Sequence, residues 1–183
     1  MTTDNFKIEI LKLHWLENYD DPDDRCLHGK IRVSIGSEIV AKNSDEEDDW
    51  YSLSAMALHL LRTLENNHTN KTQVAQCLIP TEGHHIDHKD NEFQVHIETA
   101  YPMADGCNWW ITHSENIITI ETEKGNLTTI PFEVYKQQIL NFVDRIEDFY
   151  KESRPKNLPE NNYDREGYLK FWNEWNTRRK KWN

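Results

Sequence analysis

The chain has 183 residues and a formal net charge of −11 at pH 7, from 21 basic and 32 acidic side chains. Hydrophobic residues make up 37% and aromatic residues 11% of the sequence, which is enough apolar material for a folded core and excludes a disordered chain. The negative charge argues against nucleic acid as a partner, and no apolar run approaches the roughly 20 residues that a membrane span needs.

The N-terminus and the cysteines indicate a cytoplasmic protein. Residues 1–5 have neither the basic region nor the apolar region of a signal peptide. The three cysteines, Cys26, Cys77 and Cys107, are odd in number and widely spaced, which favours reduced thiols over a disulfide framework.

The first half of the chain predicts two strands, a helix and a short strand. Apolar residues alternate from Phe6 but change phase at Ile10 and Leu11, which predicts a strand with a bulge there. A second strand is expected at Lys30–Val40. Leucines and small residues at helical spacing then predict a helix that starts after Ser52 as N-cap, followed by a short strand at Gln76–Ile79.

The second half predicts strands followed by two helices. Alternating patterns predict antiparallel strands at Glu92–Thr99, Cys107–His113, Asn116–Glu123 and Leu127–Ile130. Pro131 suits the start of a helix with one apolar stripe, and Asp164 is the predicted cap of the last helix. We therefore expect an α+β fold, a mostly antiparallel sheet of five to seven strands with three helices packed on it.

The charge is divided unevenly along the chain. Residues 153–183 carry eight basic and four acidic side chains, whereas residues 1–152 carry 13 and 28. We expect residues 1–152 to form one domain and residues 153–183 to form a linker and an amphipathic helix docked on it. Opposite charges within one chain favour this docking over a free basic tail that would bind a membrane.

Two acidic loops are the candidate partner-binding residues. They contain Asp20, Asp21, Asp23 and Asp24 in the first loop, and Asp45, Glu46, Glu47, Asp48 and Asp49 in the second, with Trp50 as an aromatic anchor beside it. Neither run has the alternating ligands and glycine of a calcium loop. The loops are either solvated without a further role or bind the cationic side chains of a basic protein.

A histidine-rich segment at residues 83–91 is the one candidate metal site. His84, His85 and His88 could chelate a transition metal, although a solvated hairpin tip explains the same sequence. The run His84-His85-Ile86-Asp87 resembles the opening of an HNH nuclease motif, which implies His85 as general base and Asp87 or His84 on the metal side. The family continues into a helix, whereas Phe93, Val95 and Ile97 here alternate as in a strand.

The sequence otherwise contains no catalytic template, so we predict no catalytic residue and no cofactor. Glycine-rich phosphate loops and nucleophile elbows are missing from the sequence. Acidic side chains are too numerous for spacing alone to identify an acid–base pair.

Four segments together are similar to a group of small acidic bacterial proteins that includes immunity proteins of contact-dependent or polymorphic toxin systems. The segments are 53–64, 107–110, 130–135 and 171–175. The resemblance implies a cytosolic protein that binds a basic toxin domain tightly and covers its active site. A metal-dependent HNH-like nuclease, another metalloenzyme that uses the histidine segment, and a structural or regulatory homo-oligomer remain the alternatives.

Overall fold

A computed structural model describes residues 5–44, 50–83, 85–99 and 106–182, and confirms the α+β class. Three α-helices, a short 3-10 helix (Leu16–Asn18) and nine strands lie within these ranges, and the strand pairs in the three sheets are antiparallel. The helices are α1 (Leu53–Thr63), α2 (Phe132–Glu152) and α3 (Asn162–Arg179). The strands are β1 (Phe6–His14), β2 (His28–Ile35), β3 (Glu38–Lys42), β4 (Tyr51–Ser52), β5 (Ile86–Asp87), β6 (His96–Ile97), β7 (Trp109–Ser114), β8 (Ile117–Thr122) and β9 (Leu127–Pro131).

The first sheet has the order β1-β2-β3, with β4 paired to the start of β2. The predicted bulge is confirmed, because the β1–β2 register shifts between Ile10 and Lys12. The single strand predicted at Lys30–Val40 is wrong: Gly36, at φ 58°, turns the chain between β2 and β3. The two-residue turn preserved the apolar phase, so Ile39 seemed to continue the strand although it is 53% exposed.

Two of the strands predicted from alternating apolar residues are much shorter in the structure. The β7-β8-β9 meander forms as expected, but β6 covers only two residues of the strand predicted at Glu92–Thr99. The strand predicted at Gln76–Ile79 is reduced to one bridge between Ile79 and Cys107. Side chains take the place of strand partners here, since Val95 N donates to Glu174 Oε2 at 2.9 Å and Leu78 N to Asn108 Oδ1 at 3.2 Å.

Helix α1 is the centre of the core, and every one of its 11 residues is buried. Ser52 is its N-cap residue as predicted, but the Ser52 hydroxyl contacts Cys26 Sγ at 2.9 Å instead of the helix. The cap of α3 is Asn161, whose side chain accepts from Tyr163 N and Asp164 N, so the prediction of Asp164 is wrong. Among the described residues, no helix combines the length and the apolar character of a membrane span.

Helix α3 is attached to the other helices by ion pairs. Arg62 on α1 pairs with Glu174, and Arg178 pairs with both Glu174 and Glu65, with all four contacts at 2.7–2.9 Å. Near the end of the helix, Arg179 pairs with Asp144 and Glu147 on α2. The basic end of the chain is thus neutralised by acidic side chains of residues 1–152.

Candidate functional site

A cavity of about 570 Å³ lies where four segments meet. Its walls are the loop between β1 and β2, the start of α1 with Trp50, residues 81–83 and 85–86, and the first half of α3. Ligand pockets in proteins have volumes of about 300–1,000 Å³, so the size suits a small molecule or a short stretch of a partner chain.

Four carboxylates and one guanidinium line this cavity, namely Asp23, Asp24, Glu82, Asp164 and Arg25. Asp24 accepts backbone hydrogen bonds from Leu16 N and Cys26 N, and Asp23 accepts from Arg25 and Asn157. The side-chain carboxylates of Glu82 and Asp164 have no hydrogen bond or ion pair to any residue that the structure describes. These two carboxylates are therefore available to a ligand of positive charge.

Three aromatic rings also line the cavity. Trp50 and Tyr168 are half-buried and Phe171 is buried, and all three line it. Trp50 contacts the ring edges of His14 and His28, with ring centroids 5.5 and 6.2 Å apart. Aromatic faces attract ammonium and guanidinium groups, so the walls and the carboxylates favour the same kind of ligand.

The floor of the cavity is a cluster of buried hydroxyl and thiol groups. Cys26 Sγ lies 2.9 Å from Ser52 Oγ and 3.7 Å from Ser54 Oγ. Burial raises the pKa of the Cys26 thiol to about 11. Since the thiolate is the nucleophilic form, Cys26 is a hydrogen-bonding group at neutral pH and not an activated nucleophile.

Two glycines allow the walls to approach each other. A Cβ atom on Gly83 would lie 2.0 Å from Ser52 Oγ, and one on Gly167 would lie 2.5 Å from Ile86 O. Residues 81–83 therefore contact the start of α1, and α3 contacts β5, at distances that a larger residue would not permit.

Part of the predicted acidic site reaches the cavity. Asp23, Asp24 and Trp50 line it together, although they come from different segments. Asp20 instead binds the linker that precedes α3, because Lys156 Nζ and Arg154 N each donate to its carboxylate at 2.7 Å. These contacts hold the pKa of Asp20 below its usual value. Asp21 accepts from Asp23 N within its own loop. Asp45, Glu46, Glu47, Asp48 and Asp49 lie outside the described residues.

The histidine segment is divided between two places. His84 lies outside the described residues, and His85 lines the cavity. His88 lies with Asp90 and Glu166, and their potential ligand atoms are within 4.8 Å of one another. Asp87 accepts from Tyr163 Oη at 3.0 Å. Residues 85–99 form β5, a turn and β6, so the helix that follows the opening of an HNH motif is not found in this stretch.

Sequence reasoning missed Glu82, Asp164, Tyr168 and Phe171 as cavity residues. The sequence predicted Asp164 only as a helix cap, and Tyr168 only as one residue of the docked amphipathic helix. No local pattern distinguishes Glu82 from the other acidic residues, because its position depends on the contact of Gly83 with α1.

Comparison with known proteins gave no relative: no protein-family model, no curated protein and no solved structure matches this chain. The account of function therefore depends on the geometry and chemistry of the cavity.

Proposed function

We propose that this chain is a non-enzymatic binding protein that takes cationic side chains of a basic protein partner into the acidic, aromatic cavity. The observation that carries the proposal is the pair of unpaired carboxylates, Glu82 and Asp164, in a cavity walled by Trp50, Tyr168 and Phe171. A Lys or Arg side chain entering the cavity would gain an ion pair and an aromatic contact together.

The overall charge favours the same partner. A chain with a net charge of −11 attracts cationic proteins over long distances and speeds their association, whereas it repels phosphate groups. The cavity exceeds what one side chain would fill, so we propose that a short segment of the partner enters it.

The polar groups around the cavity support binding more than catalysis. The Cys26 thiol has a raised pKa and contacts hydroxyl groups, and the two oxygens of Asp24 accept backbone N–H groups of the loop that contains it. The Cys26 thiol and the Asp24 carboxylate therefore hold the wall and floor of the cavity, whereas Glu82 and Asp164 have no such contacts with the described residues and are available for recognition.

In its most specific form, the proposal is an immunity protein that neutralises a basic toxin domain in the cytoplasm. The similarity of residues 53–64, 107–110, 130–135 and 171–175 to a group that includes such proteins supports this form. We propose that Asp45–Asp49, which directly precede Trp50 in the sequence, also bind the partner. Asp23 and Asp24 contribute at the cavity wall, whereas Asp20 holds Lys156 of the linker.

A titration with a defined basic peptide tests the cavity directly. The probe is an acetylated tetra-arginine peptide, followed by amide chemical shifts in wild-type protein, in E82Q/D164N and in a charge-matched control, E115Q/E121Q. Glu115 and Glu121 are exposed and belong to the β7–β9 meander, so the control loses the same charge away from the cavity. We expect shifts at residues 82–86 and 164–171 that are lost in E82Q/D164N alone. Shifts elsewhere, or equal shifts in both variants, would contradict the proposal.

A further inference from the structure

Residues 87–90 and the first half of α3 are held together along a narrow seam beside the cavity. Tyr163 Oη donates to Asp87 Oδ1 at 3.0 Å, and Lys170 Nζ donates to Lys89 O at 2.7 Å. Gly167 brings the helix backbone against Ile86 O. Side chains on the two sides of this seam are consequently close enough to share a ligand.

His88 lies in the seam with one ring nitrogen unsatisfied. Its side chain is 5% exposed and stacks on the Tyr163 ring at 4.5 Å. Nε2 lies 3.1 Å from Tyr163 O and 4.0 Å from Glu166 Oε2. Nδ1 is buried and has no hydrogen-bond partner in the described structure. The imidazole ring is thus fixed in position by the stacking contact and by the backbone of α3.

Two carboxylates complete a potential ligand set. A ring nitrogen of His88 and oxygens of Asp90 and Glu166 lie within 4.8 Å of one another, and both acidic residues are exposed. Apart from Glu166 Oε2, which is 4.0 Å from His88 Nε2, neither carboxylate has a hydrogen-bond or ion-pair partner among the described residues. Ligand atoms around a tetrahedral ion are about 3.4 Å apart, and two exposed side chains can close this gap by rotation.

We propose that His88, Asp90 and Glu166 bind one divalent transition-metal ion, with Zn²⁺ preferred over Mn²⁺. One imidazole nitrogen and two carboxylate oxygens form a borderline ligand set that suits such ions, while Mg²⁺ and Ca²⁺ prefer sites made of oxygen ligands. The ion links residues 88–90 to α3 and so fixes two walls of the cavity, to which Ile86 and Asp164 belong. This inference does not depend on the proposed function, since the ion would bind whether or not a basic partner does.

Calorimetric titration of chelator-treated protein with ZnCl₂, together with thermal unfolding, tests the site without any assay of activity. We expect one ion per chain and a higher unfolding temperature with zinc. D90N and E166Q replace exposed side chains, so they should fold normally and weaken zinc binding by at least about tenfold, and H88Q should abolish it. The controls E98Q and H96Q remove an exposed acid and an exposed histidine outside the ligand set and should bind as the wild type does.

Three results would overturn the proposal: no saturable binding of zinc below about 100 µM, wild-type binding by both D90N and E166Q, or an equal loss of binding in H96Q. The last result would show adventitious binding by exposed histidines. A failed zinc titration leaves the peptide titration of the cavity unaffected, so the two proposals can fail separately.

Discussion

Arg62 and Glu174 form a buried, two-point ion pair between α1 and α3. Arg62 Nε and Nη2 donate to the two carboxylate oxygens at 2.7 and 2.9 Å, and the side chains are 2% and 0% exposed. The same guanidinium donates to Val74 O and Val95 O, and Val95 N donates to Glu174. One pair therefore connects two helices and two irregular segments, and it anchors the helix that supplies a wall of the cavity.

Removing the charge of Glu174 is expected to destabilise the protein strongly. E174Q leaves the Arg62 guanidinium buried without its counterion, which costs about 3–5 kcal/mol of unfolding free energy. Urea unfolding followed by tryptophan fluorescence measures the loss. E121Q, at an exposed position, should change the stability by less than about 0.5 kcal/mol. A loss below about 1 kcal/mol in E174Q would show that the pair contributes little.

Gly167→Ala should destabilise the protein, although alanine is the better helix former. The helix preference alone would stabilise by about 1 kcal/mol. A Cβ atom at this position lies 2.5 Å from Ile86 O, which is backbone and cannot move without shifting β5. Thermal unfolding of G167A should therefore show a lower midpoint than wild type, while N173A, at an exposed position of the same helix, should be neutral or slightly stabilising. An increased midpoint for G167A would contradict the close approach of α3 and β5.

Stability should decrease as the pH falls below neutral, because two histidines are buried in their neutral form. Burial is the main cause that lowers the pKa of both histidines, His59 and His68. The pKa of His59 lies far below 6.5. The unfolded chain binds protons at pH values where these folded residues do not. The stabilisation that comes from burying these histidines in their neutral form is therefore fully present above pH 6.5. Below pH 6.5, the free energy of unfolding decreases by up to about 1.4 kcal/mol per pH unit for each histidine. Urea unfolding between pH 5 and 8 measures this slope; H96Q, at an exposed site, should keep it, and a flat profile would contradict the burial of the pair.

The three cysteines should react with alkylating agents at different rates. Burial raises the pKa of Cys26 to about 11 and that of Cys77 to about 12, so little thiolate is present in either at pH 8. Cys107 is half-buried and should be alkylated first by iodoacetamide. Mass spectrometry of time points under native conditions gives the order. Labelling of Cys26 as fast as that of Cys107 would show that the floor of the cavity is open and the thiol activated.

The sequence correctly predicted the elements in which apolar residues recur at a regular spacing along one continuous segment. Helix α1, helix α2, the bulge in β1 and the β7–β9 meander follow from apolar spacing and turn residues. The hairpin at Gly36 was missed because a two-residue turn preserves the alternation of apolar residues on both sides. The strands at 76–79 and 92–99 were overestimated because Asn108, Gln76 and Glu174, distant in sequence, bond their backbone N–H groups.

The candidate site was only partly predictable for a similar reason. Local charge identified Asp23 and Asp24, and adjacency to an acidic run identified Trp50. The link between these residues and Glu82, Asp164 and Tyr168 depends on the packing of α3 against β5 and of Gly83 against α1. The same packing places Glu166 beside His88, 78 positions away in the chain. Such contacts between distant segments have no signal in the sequence of one chain.

Affinity purification from the source cells most directly tests the claim that the cavity binds a basic protein. Tagged wild type, E82Q/D164N and the charge-matched E115Q/E121Q are compared at low and high salt, and the partner is then purified for calorimetry. The account predicts a stoichiometric partner of net positive charge, released as salt rises, whose affinity falls by at least about tenfold in E82Q/D164N and stays near the wild-type value in the control. A partner held equally well by the cavity variant, or a wild-type protein recovered without a basic partner at either salt concentration, would contradict it.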